Sequence, residues 1–149
     1  MKRAERREQI LAAATSAFAP RGYAATRLDD VAAAAGVTHA LLYRHFESKH
    51  DLYRAVLARA RARLDGVDGV PALVSAAAAD PDGFRVLFRH AAWEPEFRDA
   101  VAGVWPGLTV LAVLAWLDVG RPDPDQAAER IGRIEAAYPQ WTVRSCGRR

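Results

Sequence analysis

The side chains with the clearest chemistry lie between residues 39 and 45, on one side of a predicted short helix. They comprise hydrogen-bond donors, an aromatic hydroxyl and one small residue: His39, Ala40, Tyr43, Arg44 and His45. Arginine is the commonest specific reader of guanine, imidazole and hydroxyl groups bind phosphates, and a small residue permits close approach to a base. Such a face is suited to the groove of a nucleic acid duplex.

Two short helices and a glycine turn are predicted to position that face. Thr26 is placed to cap a first helix, with Asp29 as its capping-box partner. The helix is expected to stop at Gly36, because glycine readily adopts the left-handed conformation of a sharp reversal. Thr38 then caps a second helix over about 39–46.

Apolar residues at helical spacing give both helices an inner side. They are Val31, Ala32 and Ala35 in the first helix, and Val37, Leu41, Leu42 and Phe46 in the second. Two capped helices meeting at a glycine form the layout of a helix-turn-helix DNA reader over about 27–46. A plain helical hairpin with a solvated polar face is the alternative, and the agreement of turn, exposed aromatic and basic cluster favours DNA binding.

Charge is divided unevenly along the chain. Of the 149 residues, the first 63 carry 12 Lys and Arg against 6 Asp and Glu, whereas residues 64–149 carry 9 against 12. The net charge is therefore +6 in the first part and −3 in the second. The basic part contains the predicted helix-turn-helix, so charge also favours a polyanionic partner.

The stretch GVTHALLYRHFESKHDLY resembles the signature of the TetR (tetracycline repressor) family of transcription regulators. The matching positions are Val37, Thr38, Leu42, Tyr43, His45, Phe46, Ser48, Lys49 and Leu52, and Gly22, Tyr23 and Thr26 match the lead-in. The resemblance is strong over about 3–63 and weak beyond. It implies phosphate contacts by Arg27, Thr38, Tyr43, His45 and Lys49, and base contacts by His39, Ala40 and Arg44. Leu41 departs from the small or polar residue common in the family.

The remaining elements are all predicted helical, so the fold class is all-α. A first helix over about 3–19 should pack on the helix-turn-helix, and Ser48 with Asp51 should cap a linking helix over 48–64. The Gly- and Pro-containing stretch 65–71 is the predicted boundary between a DNA-binding domain, 1–64, and a shortened effector-binding and dimerisation domain, 70–149. About five further helical segments follow that boundary.

The second domain shows no catalytic set, metal-ligand spacing or phosphate-binding loop, so neither an enzyme nor a cofactor or metal is predicted. Aromatic and aliphatic residues such as those of this domain ordinarily form a hydrophobic core. Because the family encloses an apolar effector pocket in this domain, the resemblance makes a pocket an equal alternative. The candidate ligand-binding residues are Phe84, Phe88, His90, Trp93, Trp105 and Trp116.

The last two predicted helices carry apolar stripes that can pack inward or against a partner. In the family these helices pair with their two-fold mates, which implies a homodimer. The candidate interface residues are Val110, Val113, Leu114, Leu117, Ala127, Ile131, Ile134 and Tyr138.

The start of the chain lacks the pattern of a secretory signal, and the longest apolar run, Leu108 to Leu117, is shorter than the roughly 20 residues that span a bilayer. The single cysteine, Cys146, suits a reducing compartment. The expectation is a cytoplasmic repressor without membrane contact, bound as a dimer to a palindromic double-stranded operator and released by a small apolar effector. The alternative is an effector-free DNA-binding or protein-interaction module with a degenerate second domain.

Overall fold

The computed structural model describes residues 2–103 and 107–138, and within them every regular element is helical. This confirms the all-α prediction. The α-helices are α1 Arg3–Phe18, α2 Gly22–Ala25, α3 Leu28–Ala35, α4 His39–His45, α5 Lys49–Ala62, α6 Gly69–Ala79, α7 Pro81–Arg85, α8 Gly107–Asp118 and α9 Pro124–Ala137. Between α7 and α8 lie a π-helical turn, Val86–His90, and two 3₁₀ turns, Ala91–Trp93 and Arg98–Val101.

The chain divides into two compact units. The first runs to Arg63 and also includes Asp82–Ala102, and the second comprises Leu64–Pro81 and the chain from Gly103. The break after Arg63 lies beside the predicted boundary at 65–71. However, the predicted domain of 70–149 is not one unit, because Asp82–Ala102 packs with α2 and α5.

The core of the first unit forms where α1 crosses α3 and α5. Its largest enclosed side chains come from α1, α4 and α5 and from the residue that ends α4: Ile10, Phe18, Leu42, Phe46, Leu52, Tyr53 and Leu57. The Phe18 and Tyr53 rings meet edge to face at 4.9 Å between centroids. Burying these side chains removes apolar surface from water and thereby holds the short α3 and α4, which are marginal as isolated helices.

The segment Asp82–Ala102 joins the first unit through an aromatic cluster and several polar bonds. The Phe97 ring lies 4.9 Å from Tyr23 and 4.7 Å from Tyr53. Nε2 of His90 lies 2.7 Å from the carbonyl oxygen of Ala19, at the end of α1. These partners are 44 to 74 positions apart in the sequence, so local spacing gives no sign of the contacts.

The second unit packs α6, α8 and α9 against one another. Asp123 accepts a hydrogen bond from the Gln126 N–H at 3.1 Å and so caps α9. The indole N–H of Trp116 donates to the carbonyl of Pro122 at 2.9 Å, which satisfies a polar group that is otherwise buried.

Across the two described stretches, 2–103 and 107–138, the helices lack the combination of length and apolar character that a bilayer crossing requires.

Candidate nucleic-acid interface

The first helix of the helix-turn-helix, α3, begins without the cap predicted for it. Thr26 is 3% exposed, and its hydroxyl donates to the Gly22 carbonyl at 2.7 Å. The N-cap position belongs to Arg27, whose side chain makes no capping bond. The Thr26 capping box was therefore wrong, because a carbonyl of α2 lies within reach of the buried hydroxyl. Asp29 and Asp30 occupy the first turn, where the helix dipole favours negative charge.

The turn between α3 and α4 has the predicted geometry. Gly36 has φ 64° and ψ 34°, and its N–H bonds the Ala33 carbonyl at 3.1 Å. An L-residue with a side chain would be strained in this left-handed conformation. The hydroxyl of Thr38 accepts the Leu41 N–H at 3.2 Å and caps α4. Both assignments are confirmed, and Thr38 itself is exposed.

The inner side of α4 is narrower than its sequence predicts. Leu42 and Phe46 are 1% and 2% exposed, and the Arg7 guanidinium lies 4.8 Å from the Phe46 ring centroid. Val37, which precedes α4, and Leu41 are only half-buried. Leu42 and Phe46 therefore form the buried part of the predicted inner side, and Val37 and Leu41 lie at its edge.

The outward side of α4 presents His39, Ala40, Tyr43 and Arg44 to solvent, and these four residues are here termed the recognition face. Tyr43 is 50% exposed although it is a large aromatic residue. His45, predicted to face outward with them, is half-buried. An exposed helix face with a cationic, an aromatic and a small residue can enter a major groove.

An acidic residue lies against this face. Oδ1 of Asp29 is 2.7 Å from Nε2 of His39, and its Oδ2 is 3.5 Å from the Arg27 guanidinium. Sequence spacing could not reveal the pair, because the glycine turn brings together residues ten positions apart. All three side chains retain large solvent exposure.

Lys49 occupies the start of α5, where the predicted Ser48 cap is confirmed, whereas the Asp51 side chain accepts the N–H of Glu47 and not that of Ser48, as a capping box would require. The Ser48 hydroxyl accepts the Asp51 N–H at 3.0 Å, and the Asp51 carboxylate accepts the Glu47 N–H at 3.2 Å. The Lys49 ammonium lies 4.6 Å from the Tyr23 ring centroid and 3.5 Å from the Ala24 carbonyl. The ring therefore helps to hold the cation in place.

Glu94 connects two helices of the first unit, a role that sequence reasoning missed. One carboxylate oxygen accepts the backbone N–H of Tyr23 at 3.1 Å, and the other accepts the Tyr53 hydroxyl at 2.9 Å. Burial raises the pKa of Tyr53, and the hydrogen bond and charge of Glu94 raise it further. Burial also raises the pKa of Tyr23, with smaller contributions from Glu96 and Glu94.

Gly22 gives the signal that could have located this contact. It has φ 77°, and a Cβ at this position would lie 2.8 Å from Nδ1 of His90 and 3.1 Å from the Glu94 carboxylate. Only glycine permits both the backbone conformation and this close approach.

The described candidate ligand-binding residues are divided between the two units. Phe84 and Phe88 are buried in the first unit, with ring centroids 4.7 Å apart, and His90 bonds Ala19. Trp93, also in the first unit, is 74% exposed, whereas Trp116 is buried in the second. Trp105 lies outside the described residues.

Six of the eight candidate dimer-interface residues are buried within the second unit. These are Val110, Val113, Leu114, Leu117, Ala127 and Ile131, none more than 7% exposed. They pack inward because three helices must share one small core, so their assignment to a dimer interface was wrong for this packing. Ile134 and Tyr138 are 40% and 50% exposed.

A surface cleft of about 270 Å³ lies in the first unit, between α5 and the residues after Pro95. Its lining includes Arg54, Leu57, Arg61 and Phe97. The Arg61 guanidinium donates to the Ala100 carbonyl at 2.6 Å. Among the predicted ligand-binding residues that the structure describes, none lines this cleft.

Comparison with known proteins agrees with the geometry of the first unit. Residues 10–56 match the family described as bacterial regulatory proteins, tetR family. The transcriptional activator FasR of Mycolicibacterium smegmatis is 51% identical over 59 residues, which are 40% of this chain and 27% of FasR. The transcriptional repressor BepR of Brucella suis is 45% identical over 58 residues, which are 39% of this chain and 28% of BepR. Both relatives are transcriptional regulators and not enzymes.

The similarity of the fold extends further than that of the sequence. A TetR-like transcriptional regulator from Rhodococcus sp. RHA1 superposes with a TM-score of 0.72 at 22% identity, covering 94% of this chain and 98% of that one. The matched segment spans only about a quarter of the length of the curated relatives. The family match over residues 10–56 includes α3 and α4, which carry the turn and the recognition face.

Proposed function

We propose that this chain, whose residues 10–56 match the tetR family of bacterial regulatory proteins, is a dimeric transcriptional repressor of that family. It binds a short palindromic operator, and a small apolar effector releases it. The observation that carries the proposal is the solvent-exposed recognition face on a helix whose turn and cap have helix-turn-helix geometry. Arg44 and His39 would meet base edges, while Tyr43, Arg27, Thr38 and Lys49 would meet phosphates.

An exposed apolar strip supports the dimer. Leu108 and Leu111 are 39% and 57% exposed at the start of α8, and Ile134 and Tyr138 are exposed at the end of α9. The Thr109 hydroxyl donates to Glu135 at 3.5 Å, which brings these two helix ends side by side. Contiguous apolar surface of this kind is typical of an interface, and a two-fold axis uses each residue twice. These four residues replace the six buried ones as the proposed contact.

A dimer accounts for a palindromic site. Two recognition faces related by a two-fold axis meet two half-sites one or more helical turns apart. An effector that favours a different separation of the two faces would remove the contacts of one half-site and shift the population off DNA. FasR is named an activator and BepR a repressor, and they match this chain over 59 and 58 residues, so the proposed direction of regulation depends on where the operator lies relative to the promoter.

Binding to labelled DNA from the region upstream of the chain's own gene tests the proposal. Fluorescence anisotropy should show nanomolar to micromolar binding to one duplex, and a scrambled duplex of the same composition should bind at least a hundredfold more weakly. The matched control is Arg44→Ala, which should bring the two affinities together. Equal wild-type affinity for both duplexes would contradict sequence-specific regulation.

Release by an effector has its own measurement. A panel of planar and aliphatic apolar compounds should contain one that lowers operator binding and changes tryptophan fluorescence with the same saturation midpoint. Trp93 and Trp116 differ in exposure, 74% against 7%, so ligand burial and helix movement would affect them differently. A panel without a saturable response would favour an effector-free DNA-binding module.

A further inference from the structure

The strongest further observation is the carboxylate of Asp29 on a surface that the proposed function assigns to DNA. We propose that Asp29 is a positioning residue that sets which ring nitrogen of His39 is available to a base. Asp29 thereby determines sequence preference at one position of each half-site. This inference rests on the proposed function and adds a specificity determinant to it.

The geometry leaves His39 one free ring nitrogen. Nε2 is 2.7 Å from Oδ1 of Asp29, a short distance for a hydrogen bond to a carboxylate. A carboxylate only accepts hydrogen bonds, so Nε2 carries a proton. Any contact of this ring with DNA through a nitrogen must then use Nδ1.

The protonation state of His39 decides what Nδ1 can recognise. In the neutral ring Nδ1 is an acceptor, and it suits the exocyclic amino groups of cytosine and adenine. In the imidazolium form Nδ1 donates, and it suits N7 or O6 of guanine, O4 of thymine or a phosphate oxygen. Without Asp29 the neutral ring could carry its proton on either nitrogen. Nδ1 could then donate or accept, and the ring would no longer distinguish base atoms that donate from those that accept.

The surroundings of the pair contribute charged groups from α3 and an aromatic ring from α4. Asp29 lies on α3, beside Asp30, and its second oxygen is 3.5 Å from the Arg27 guanidinium at the N-cap. On α4 itself, the Tyr43 ring lies 6.0 Å from the His39 ring and crosses it at 69°. Arg27 offsets part of the repulsion between Asp29 and DNA phosphates, so the carboxylate can remain at the groove.

Asp30 offers a matched control. It is the next residue of the same first turn, it carries the same charge, and its side chain is exposed. Asp29→Ala and Asp30→Ala therefore remove equal charge and equal interaction with the helix dipole. Only Asp29→Ala removes the partner of His39.

The experiment measures full-chain variants by anisotropy against a set of operators with every base substitution across one half-site. Asp29→Ala should reduce discrimination at one base pair about tenfold and leave the other positions unchanged. His39→Ala should reduce discrimination at that same base pair, and the double variant should lose no more than either single one. Asp30→Ala should change the affinity for all duplexes by one common factor.

Uniform effects of Asp29→Ala and Asp30→Ala across all duplexes would overturn the role of Asp29. Wild-type protein that binds no duplex specifically would instead overturn the proposed function, which distinguishes the two failures.

Discussion

Two exposed helix faces, one in each unit, differ in the partner that their chemistry fits. The outward side of α4 carries His39, Tyr43 and Arg44, whereas the outward side of α8 carries Leu108 and Leu111. Cations and aromatic hydroxyls gain from phosphates and base edges, while aliphatic side chains gain only by leaving water. Exposure alone does not assign a surface, and the chemistry of the exposed atoms decides between a nucleic acid and a second copy of the chain.

Beneath each exposed face lie buried residues that support it without forming part of its surface. Ile131 and Leu114 lie under the apolar strip and are both 6% exposed, just as Leu42 lies under the recognition face. A charge at a buried position leaves an uncompensated ion in the core and unfolds the unit. Variants of Ile131 or Leu114 therefore cannot test the dimer, and the exposed positions can.

The largest expected effect is that of Leu111→Asp. A two-fold axis places the new charge of each protomer in the same interface, so the dimer should dissociate while each protomer keeps its helix content. Loss of one half-site should lower operator affinity more than a hundredfold. Sedimentation should show a dimer for the wild type and a monomer for the variant. Ala115 is also exposed on α8, and the same measurement on Ala115→Asp would show how far the apolar strip extends. Wild-type chain that is monomeric at micromolar concentration would remove the dimer from the proposed mechanism.

Arg44→Ala should have the next largest effect, and on specificity in particular. Loss of a bidentate base contact costs about 1–3 kcal/mol against the cognate sequence and little against random DNA. Competition binding with specific and random duplexes measures the difference. An equal loss on both duplexes would move Arg44 from the base edges to the phosphates.

Tyr53→Phe should destabilise the first unit by about 1–2 kcal/mol, because it removes a hydrogen bond to the Glu94 carboxylate. The raised pKa of Tyr53 adds a pH dependence. This contribution is fully present below the ordinary tyrosine pKa of 10.0 and is lost as the pH rises above it, where the unfolded chain ionises first. Urea unfolding at pH 7 and above pH 10 should show that the free energy of unfolding falls less at alkaline pH in Tyr53→Phe than in the wild type. Equal alkaline losses in both proteins would argue against a contribution from this tyrosine.

Lys49→Ala should have the smallest effect. A phosphate contact lacks sequence information, so affinity for every duplex should fall by a similar factor, and the log–log salt slope should become shallower by about one. Salt titrations on two unrelated duplexes check both statements. The Tyr23 ring and the Ala24 carbonyl hold the Lys49 ammonium, so an unchanged slope would mean that its role is to pack α2 against α5.

What the sequence could predict was local. Gly36 requires a left-handed turn, Thr38 and Ser48 cap through bonds spanning three residues, and the linking helix follows its own apolar spacing. Each of these depends on interactions within one or two helical turns, which the order of residues specifies. The outward positions of His39, Ala40, Tyr43 and Arg44 follow from the same short-range periodicity, and so does the all-α class.

Tertiary structure alone decided what depends on distant partners. Thr26 does not cap α3 as predicted, because its hydroxyl bonds a carbonyl of α2 instead. Asp29 contacts His39 because the turn folds α3 against α4. Glu94 reached Tyr23 and Tyr53 across 71 and 41 positions. The apolar residues of α8 could face inward or outward, because a helix that is apolar nearly all round has no periodicity to choose its buried side. Packing against α6 and α9 made that choice, burying Val113 and leaving Leu111 in solvent.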